Sequence, residues 1–424
     1  MKKLLNLLCV CVLSFSYSCN DNNTVTEYYT YKINEPVFME ADAFRSSVKV
    51  STVPQEIQQQ GKICFYKSYL YISEPEKGIH IINNSDPANP RNIGFIELLG
   101  NADISIRNDQ LYADSYIDLV WFDVNDPAKP ELKGRLEDVF THSLPNIIEN
   151  NYGYDSEMCF GEKRNGIVVG WKLVERTEKY THRKDDIYYD MISSPSSNSG
   201  GAESSNGKNG SMSRFSIYKD YLYIVINNSM SIIDLSNEAP IQAAGNIYIG
   251  WDVETIFSYK ENMFMGTPTG MLIYSVEDPL NPIYQSALQH VYGCDPVVVE
   301  NDMAYVTIHS GNFCGQDNNE LFIVDVSDVK NPKQIVSYTM TKPKGLGIDN
   351  GTLFVCDDGL KVFRSENPQK LMSNMLVHHK GMEGFDVIPY NNVLIMIADD
   401  GLYQYDYSNL QDIKQISKLA IARK

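Results

Sequence analysis

Outside its first twenty residues the chain has no apolar run approaching the length of a membrane span, which excludes a bundle of transmembrane helices. Positive charge is scarce as well: 36 Lys and Arg stand against 54 Asp and Glu, for a formal net charge of −18. A surface this acidic repels phosphate backbones and anionic headgroups, so nucleic acid is excluded as a partner. Signatures of catalysis are missing too, with no G-x-S-x-G, no H-E-x-x-H and no EF-hand loop. Gly201 and Gly207-Lys208 have five residues between them where a phosphate loop needs four, and Asn209 stands where it needs Ser or Thr. The eight cysteines include no C-x-x-C pair, so zinc is not indicated. No cofactor and no metal site is expected, and no catalytic residue can be named.

What is present begins with Met1-Lys2-Lys3, an apolar stretch from Leu4 to Phe15 and the small residues before Cys19. A basic start, a short apolar segment and small residues make a secretory signal, expected to be removed as residues 1–18. Ser16-Tyr17-Ser18-Cys19 resembles the lipobox of bacterial lipoproteins, in which the cysteine becomes the acylated first residue. The resemblance implies a lipid on Cys19, attachment to the membrane through that lipid alone, and a polar tether over residues 19–30. Asn20 is not the aspartate that favours inner-membrane retention, so an outer-membrane location follows from the same resemblance; its periplasmic or cell-surface face stays open. Loss of the leader takes the net charge to −20.

The body of the chain is periodic. Leu70-Tyr71, Leu111-Tyr112, Leu222-Tyr223, Met263-Phe264, Ala304-Tyr305, Leu353-Phe354 and Leu394-Ile395 are spaced by 41, 111, 41, 41, 49 and 41 residues. Seven copies of a unit of 41, with insertions of 70 and 8 residues, account for the series. Within a copy, alternating apolar residues punctuated by Asn, Asp, Gly and Pro give four short strands. The clearest runs Asp103–Arg107, Leu111–Asp114, Leu119–Asp123 and Glu131–Leu136, with Asp126-Pro127-Ala128-Lys129-Pro130 before the last. Proline has no backbone donor, so this turn puts the fourth strand at the periphery. The pattern predicts an all-β fold, a seven-bladed β-propeller of four-stranded antiparallel blades over residues 31–424, with a large insertion at about 137–211. Residues 31–50 read as a further outer strand, expected to complete the last blade beside Ile413–Ile421.

Leu321-Phe-Ile-Val-Asp325, Met230-Ser-Ile-Ile-Asp234 and Leu119-Val-Trp-Phe-Asp123 resemble the sequence that names the LVIVD repeat. Asn83 and Arg364 replace the aspartate in two other copies. On these strands and the whole array, the chain looks like an LVIVD-repeat propeller lipoprotein. That resemblance implies a fold and a cell-envelope location, and no activity.

Propeller topology puts the links between blades and the second-to-third-strand loops on one face. Both insertions, 137–211 and His309–Glu320, therefore decorate that face, where long loops on a rigid scaffold usually bind. Gly166–Tyr180 reads as a hairpin or protruding ribbon, and residues 193–211 as low complexity. Cys294 and Cys314 fall on this face and are expected to form a disulfide. Aromatics there, Trp171, Trp251, Tyr292 and Phe313, suit sugar rings or protein contacts, or else pack between adjacent blades or beneath the inserted loop. Lys62, Asp103, Arg214, Glu254, Asp295, Lys344 and Asp386 start the innermost strands and ring the channel mouth, where they could hold a polar ligand or pair into a plug. His290, His309, His378 and His379 map near this face, but His378 and His379 would point to opposite sides of a strand. Asp357-Asp358-Gly359 and Asp399-Asp400-Gly401 read as hairpin turns rather than calcium loops. The expected function is a lipid-anchored envelope propeller presenting this face to a protein or glycan, with Trp171, Arg214, Trp251, Glu254, Tyr292, Asp295, Phe313 and Asp386 as candidate contacts. The rival is a polysaccharide lyase or hydrolase using carboxylates at the channel mouth.

Overall fold

The computed structural model describes residues 24–183, 208–289, 296–309 and 319–422, apart from the single positions 60, 148, 150, 227, 238 and 251. Six sheets have four strands in sequential order, antiparallel and hydrogen-bonded to their neighbours, and the sheet of blade 1 has the same four with one short strand added at each edge. The innermost strands are Ile63–Tyr66, Ile104–Arg107, Phe215–Tyr218, Thr255–Tyr259, Val297–Glu300, Leu346–Asp349 and Gly384–Tyr390. Each touches the next, and the seventh touches the first, so the seven sheets close into the expected propeller.

The repeated residue pair explains how the ring holds together. Adjacent residues of a strand face opposite sides of the sheet. In each blade the first member therefore packs towards the preceding blade and the second towards the following one. Leu111 lies in the apolar cluster between blades 1 and 2, while Tyr112 lies in that between blades 2 and 3. Leu222 and Tyr223 repeat this one step on, as do Met263 and Phe264, Ala304 and Tyr305, and Leu353 and Phe354. The series closes when Ile395 meets Leu70 in the cluster shared by blades 7 and 1. Many of the tyrosines are thus interblade packing, with Tyr71, Tyr223, Tyr305 and Tyr405 fully buried.

The aspartate that ends the third strand is a turn cap. Asp123, Asp234, Asp325 and Asp406 each accept a hydrogen bond from the backbone N–H two residues on, at 2.8–2.9 Å. Asn83, which stands where the motif has aspartate, makes the same bond, accepting from Ser85 N at 3.0 Å. Such an Asx turn needs only a short side chain with an acceptor oxygen, so Asp and Asn are equivalent there. The proline turns lead into outer strands Arg91–Glu97, Glu131–Leu136, Ile241–Tyr248, Ile283–Gln289 and Lys333–Thr339. Blade 6 differs, because Pro368 opens a 3₁₀ segment, Pro368–Asn374, before the outer strand Met375–His379.

Ring closure departs from expectation. Blade 7 is completed by its own Lys414–Ala420, with no strand lent by the N-terminal segment. The seam instead uses Ala422 N donating to Ile57 O at 2.8 Å, a reciprocal pair between the buried Asn84 and Gln404 amides, and the shared apolar cluster. Residues 31–50 are divided between other partners. Thr24–Met39 pairs antiparallel with Ile167–Arg183 of the large insertion in a two-stranded ribbon, and Lys49–Ser51 adds to the outer edge of blade 1. Between them the helix Ala41–Arg45 sinks Phe44 against Tyr116, Ile117 and Ile167, and Arg45 joins Arg135 on the buried Asp118 carboxylate. The ribbon expected at Gly166–Tyr180 is therefore present, but its partner is the N-terminal segment. Pairing with each other satisfies the inward-facing half of their backbone groups and leaves the outer edges to solvent and loop.

Candidate functional site at the channel mouth

The mouth of the central channel is crossed by the chain itself. Lys208–Asn209, near the end of the large insertion, pairs with the innermost strand of blade 1, so that Lys208 lies opposite Phe65 and Asn209 opposite Cys64. Gly210 N continues the ladder to Ile63 O at 3.3 Å. The chain then crosses the mouth as Ser211-Met212-Ser213 and enters blade 3 at Arg214.

Two carboxylates from opposite sides of the sequence receive this segment. Asp386 of blade 7 accepts from Ser211 N and Ser211 Oγ at 3.1 and 3.0 Å, and from Met212 N at 3.1 Å. It also accepts from its neighbour Val387 N at 2.9 Å. Asp103 of blade 2 accepts from Ser213 Oγ, Arg214 N and Ile104 N. Arg214 then reaches Asp114 at 2.6 Å, while the other oxygen of Asp114 accepts from Ala102 N and Asp103 N. Lys62 Nζ donates to Met212 O, and Ser211 Oγ accepts from Leu346 N at 2.9 Å. A Cβ on Gly210 would come within 1.9 Å of Asp386 Oδ2, so only glycine allows this approach.

Burial raises Asp103 to about 7 and Asp386 to about 6, against the opposing pull of Lys62 on both. The same burial lowers the Lys62 ammonium to about 8. Asp114 is also raised by burial, with Arg214 acting in the opposite sense. These are the shifts expected when charges leave water and are repaid by short-range partners.

Of the residues expected at the mouth, Lys62, Asp103, Arg214 and Asp386 are brought together, as a paired plug and not as an open site. The Glu254 carboxylate acts on Lys62 electrostatically, and its backbone N–H bonds Gly266 O at 2.9 Å. Lys344 turns to the rim and donates to Glu383 at 2.6 Å; with Lys342 it holds that carboxyl down at about 2. Trp171 corrects the expectation of an accessible aromatic: it is buried beside Cys159 and Val168, its indole N–H donating to Pro145 O at 2.9 Å. A large flat ring at the foot of the ribbon is worth more in that apolar cluster than in water. Trp251, Tyr292, Asp295, Phe313, His290, Cys19 and the pair Cys294 and Cys314 lie outside the described residues.

His309 is buried, His378 Nε2 bonds Asp358 O at 2.8 Å, and His379 packs on the Tyr405 ring. Among the described residues no three His, Cys, Asp or Glu converge as a metal site. Asp358 and Gly359 take positive φ in a tight turn, as the Asp-Gly reading requires.

The sequence reading missed Asp114, Ser211 and Ser213, and with them a repeated device. An acidic residue ending the second strand accepts backbone N–H groups from the link into the same blade. Asp114 does this for Ala102 and Asp103, Asp357 for Thr341 and Lys342, Asp399 for Glu383, and Glu74 for Gln58. The signal was available in the acid that recurs at the end of the second strand in blades 1, 2, 6 and 7.

The LVIVD-repeat profile matches residues 209–247 and 297–340, within blades 3 and 5 and their entry segments. No curated protein matches the chain. Among solved structures, a Lactobacillus plantarum protein aligns with TM-score 0.56 at 10% identity over 86% of this chain and 97% of its own. The periplasmic gluconolactonase of Pseudomonas aeruginosa aligns with TM-score 0.51 at 9% identity, over 88% and 97%. At such identities the likeness concerns the fold. Taken with the seven closed blades and the capped third strands, the chain is a seven-bladed β-propeller in which two segments match the LVIVD repeat.

Proposed function

We propose that the protein is a lipid-anchored propeller of the bacterial outer membrane, held through Cys19, that presents its insertion-bearing face to a protein or glycan partner. The observation that carries this reading is the plug. With Asp103 and Asp386 each saturated by backbone and serine donors of residues 211–214, the usual entrance for a channel substrate is occupied by protein. That counts against polysaccharide cleavage by these carboxylates, since a general acid or base must reach the proton it transfers. What remains for recognition is the loop-bearing face. The N-terminal helix and the residues after Leu136 gather there.

Removing 137–211 wholesale would extract the plug, so the test uses smaller changes. Native protein is crosslinked in intact cells and compared with variants in which residues 310–318 or 184–207 are replaced by a short Gly-Ser linker. A specific protein or glycan captured by the native chain and lost from either variant supports the reading. Equal capture by all three, or turnover of a polysaccharide that Asp386→Asn abolishes, overturns it.

A further inference from the structure

The ribbon has two unlike ends. Near the propeller, Phe38, Met39, Ile167, Val168 and Trp171 are packed into apolar clusters. Towards Thr24 no core element among the described residues covers it. Tyr28 is 71% exposed and Tyr29 is 59% exposed, and as neighbours on a strand they stand on opposite faces. Tyr29 stacks on Tyr31 at 5.7 Å, so the aromatic surface is continuous along one side. A two-stranded ribbon wet on both faces is marginal in water, and phenol rings with an apolar body and a polar tip favour the layer between water and hydrocarbon. Lys179, the register partner of Tyr28, and Lys32 place positive charge on this ribbon of a strongly acidic chain.

The position of Cys19 says what covers this end. It lies five residues before Thr24, a reach of at most about 17 Å when fully extended. We propose that the far end of the ribbon, Thr26–Tyr31 with its partner strand, enters the headgroup layer of the membrane end-on. Tyr28 and Tyr29 sit there on either side while the acidic propeller is held off as on a stalk. Flat adsorption would cover only one of the two rings; end-on entry covers both. This inference rests on lipid attachment at Cys19.

Tyr248, on the outer strand of blade 3, is also 71% exposed and serves as an internal reference. The full-length lipoprotein is placed on vesicles of phosphatidylethanolamine and phosphatidylglycerol, nitrated with tetranitromethane and read by peptide mass spectrometry, beside a soluble Cys19→Ser form. Tyr28 and Tyr29 are expected to nitrate like Tyr248 in the soluble form and to be protected about fivefold or more on vesicles, with Tyr248 unchanged. Intact mass reports acylation of Cys19 separately. If Cys19 carries lipid and Tyr28 nitrates at the rate of Tyr248, the end-on placement fails while anchoring stands. If Cys19 carries none, both fall. Protection in the soluble form that grows with protein concentration would assign the ribbon to a second copy and overturn the proposal.

Discussion

One insertion supplies two strands that break the period, and they meet opposite environments. Lys208–Asn209 is two residues long and is followed by a segment whose polar groups are met from blades 2, 6 and 7. Ile167–Arg183 is seventeen residues long and, among the described residues, pairs only with Thr24–Met39, outside the ring. The short strand is held by surroundings that exclude water, where each lost partner strands a buried group. The long one is held by its own ladder, most of it in contact with solvent. Length of regular structure is therefore a poor guide to how much a segment matters here; enclosure is a better one.

The sharpest way to break this contrast is Asp386→Ala. It leaves Ser211 N, Ser211 Oγ, Met212 N and Val387 N without their acceptor in a water-poor site. A loss of about 3–5 kcal/mol is expected from the urea midpoint. A loss below that of a ribbon-tip substitution would refute the plug's structural role. Trp171→Ala, at the foot of the ribbon, is expected to cost about 3 kcal/mol, because it removes a buried ring and its bond to Pro145. Thr30→Ala, near the tip and bonded only to Thr177, should change stability by less than about 0.5 kcal/mol.

Acidity offers a test of intermediate size. Asp103 and Asp386 are raised above the ordinary carboxylate range, so the folded state binds their protons more tightly than the unfolded chain does. Their contribution is complete below about pH 4 and is lost as pH rises through 6 to 7, with a slope on the order of 1.4 kcal/mol per pH unit per proton. His80 and His379, lowered by burial, work in the opposite sense: their contribution is lost as pH falls below the ordinary histidine range. Comparing native protein with Asp103→Asn between pH 5 and 8 removes that common background. The native protein should lose stability relative to the variant as pH rises; parallel curves would show that Asp103 does not titrate in this window. The smallest effect is expected from Asp325→Ala, which removes a turn cap at the surface. Its small fall in melting temperature should add to those of Asp123→Ala and Asp406→Ala, since the caps share no partners.

The blades were legible because each pair such as Leu111-Tyr112 must fill two interfaces at once, which imposes the same two residues at the same phase in every copy. The plug was not legible. Ser211 and Ser213 sit at the end of a run of Ser, Gly and Asn whose composition carries no strand signal, and their partners lie more than a hundred residues away. The ribbon was half legible: alternation around Val168 and Trp171 marked a strand, but nothing local could say that it pairs with Thr24–Met39. Trp171 was misplaced for the same reason, since the groups that bury it, Tyr154 and Pro145, come from irregular loop.

The plug also dictates an order of assembly. Its first partner, Lys62, is synthesised 150 residues before Met212 and its last, Asp386, 175 residues after Ser211. Blades 1 and 2 can collapse on each other as soon as they emerge, yet the segment that joins them to blade 7 must wait for nearly the whole chain. Late closure of long-range contacts of this kind is slow. A chain still being synthesised therefore keeps its centre unlocked, and closing the mouth and shutting the ring become one final event.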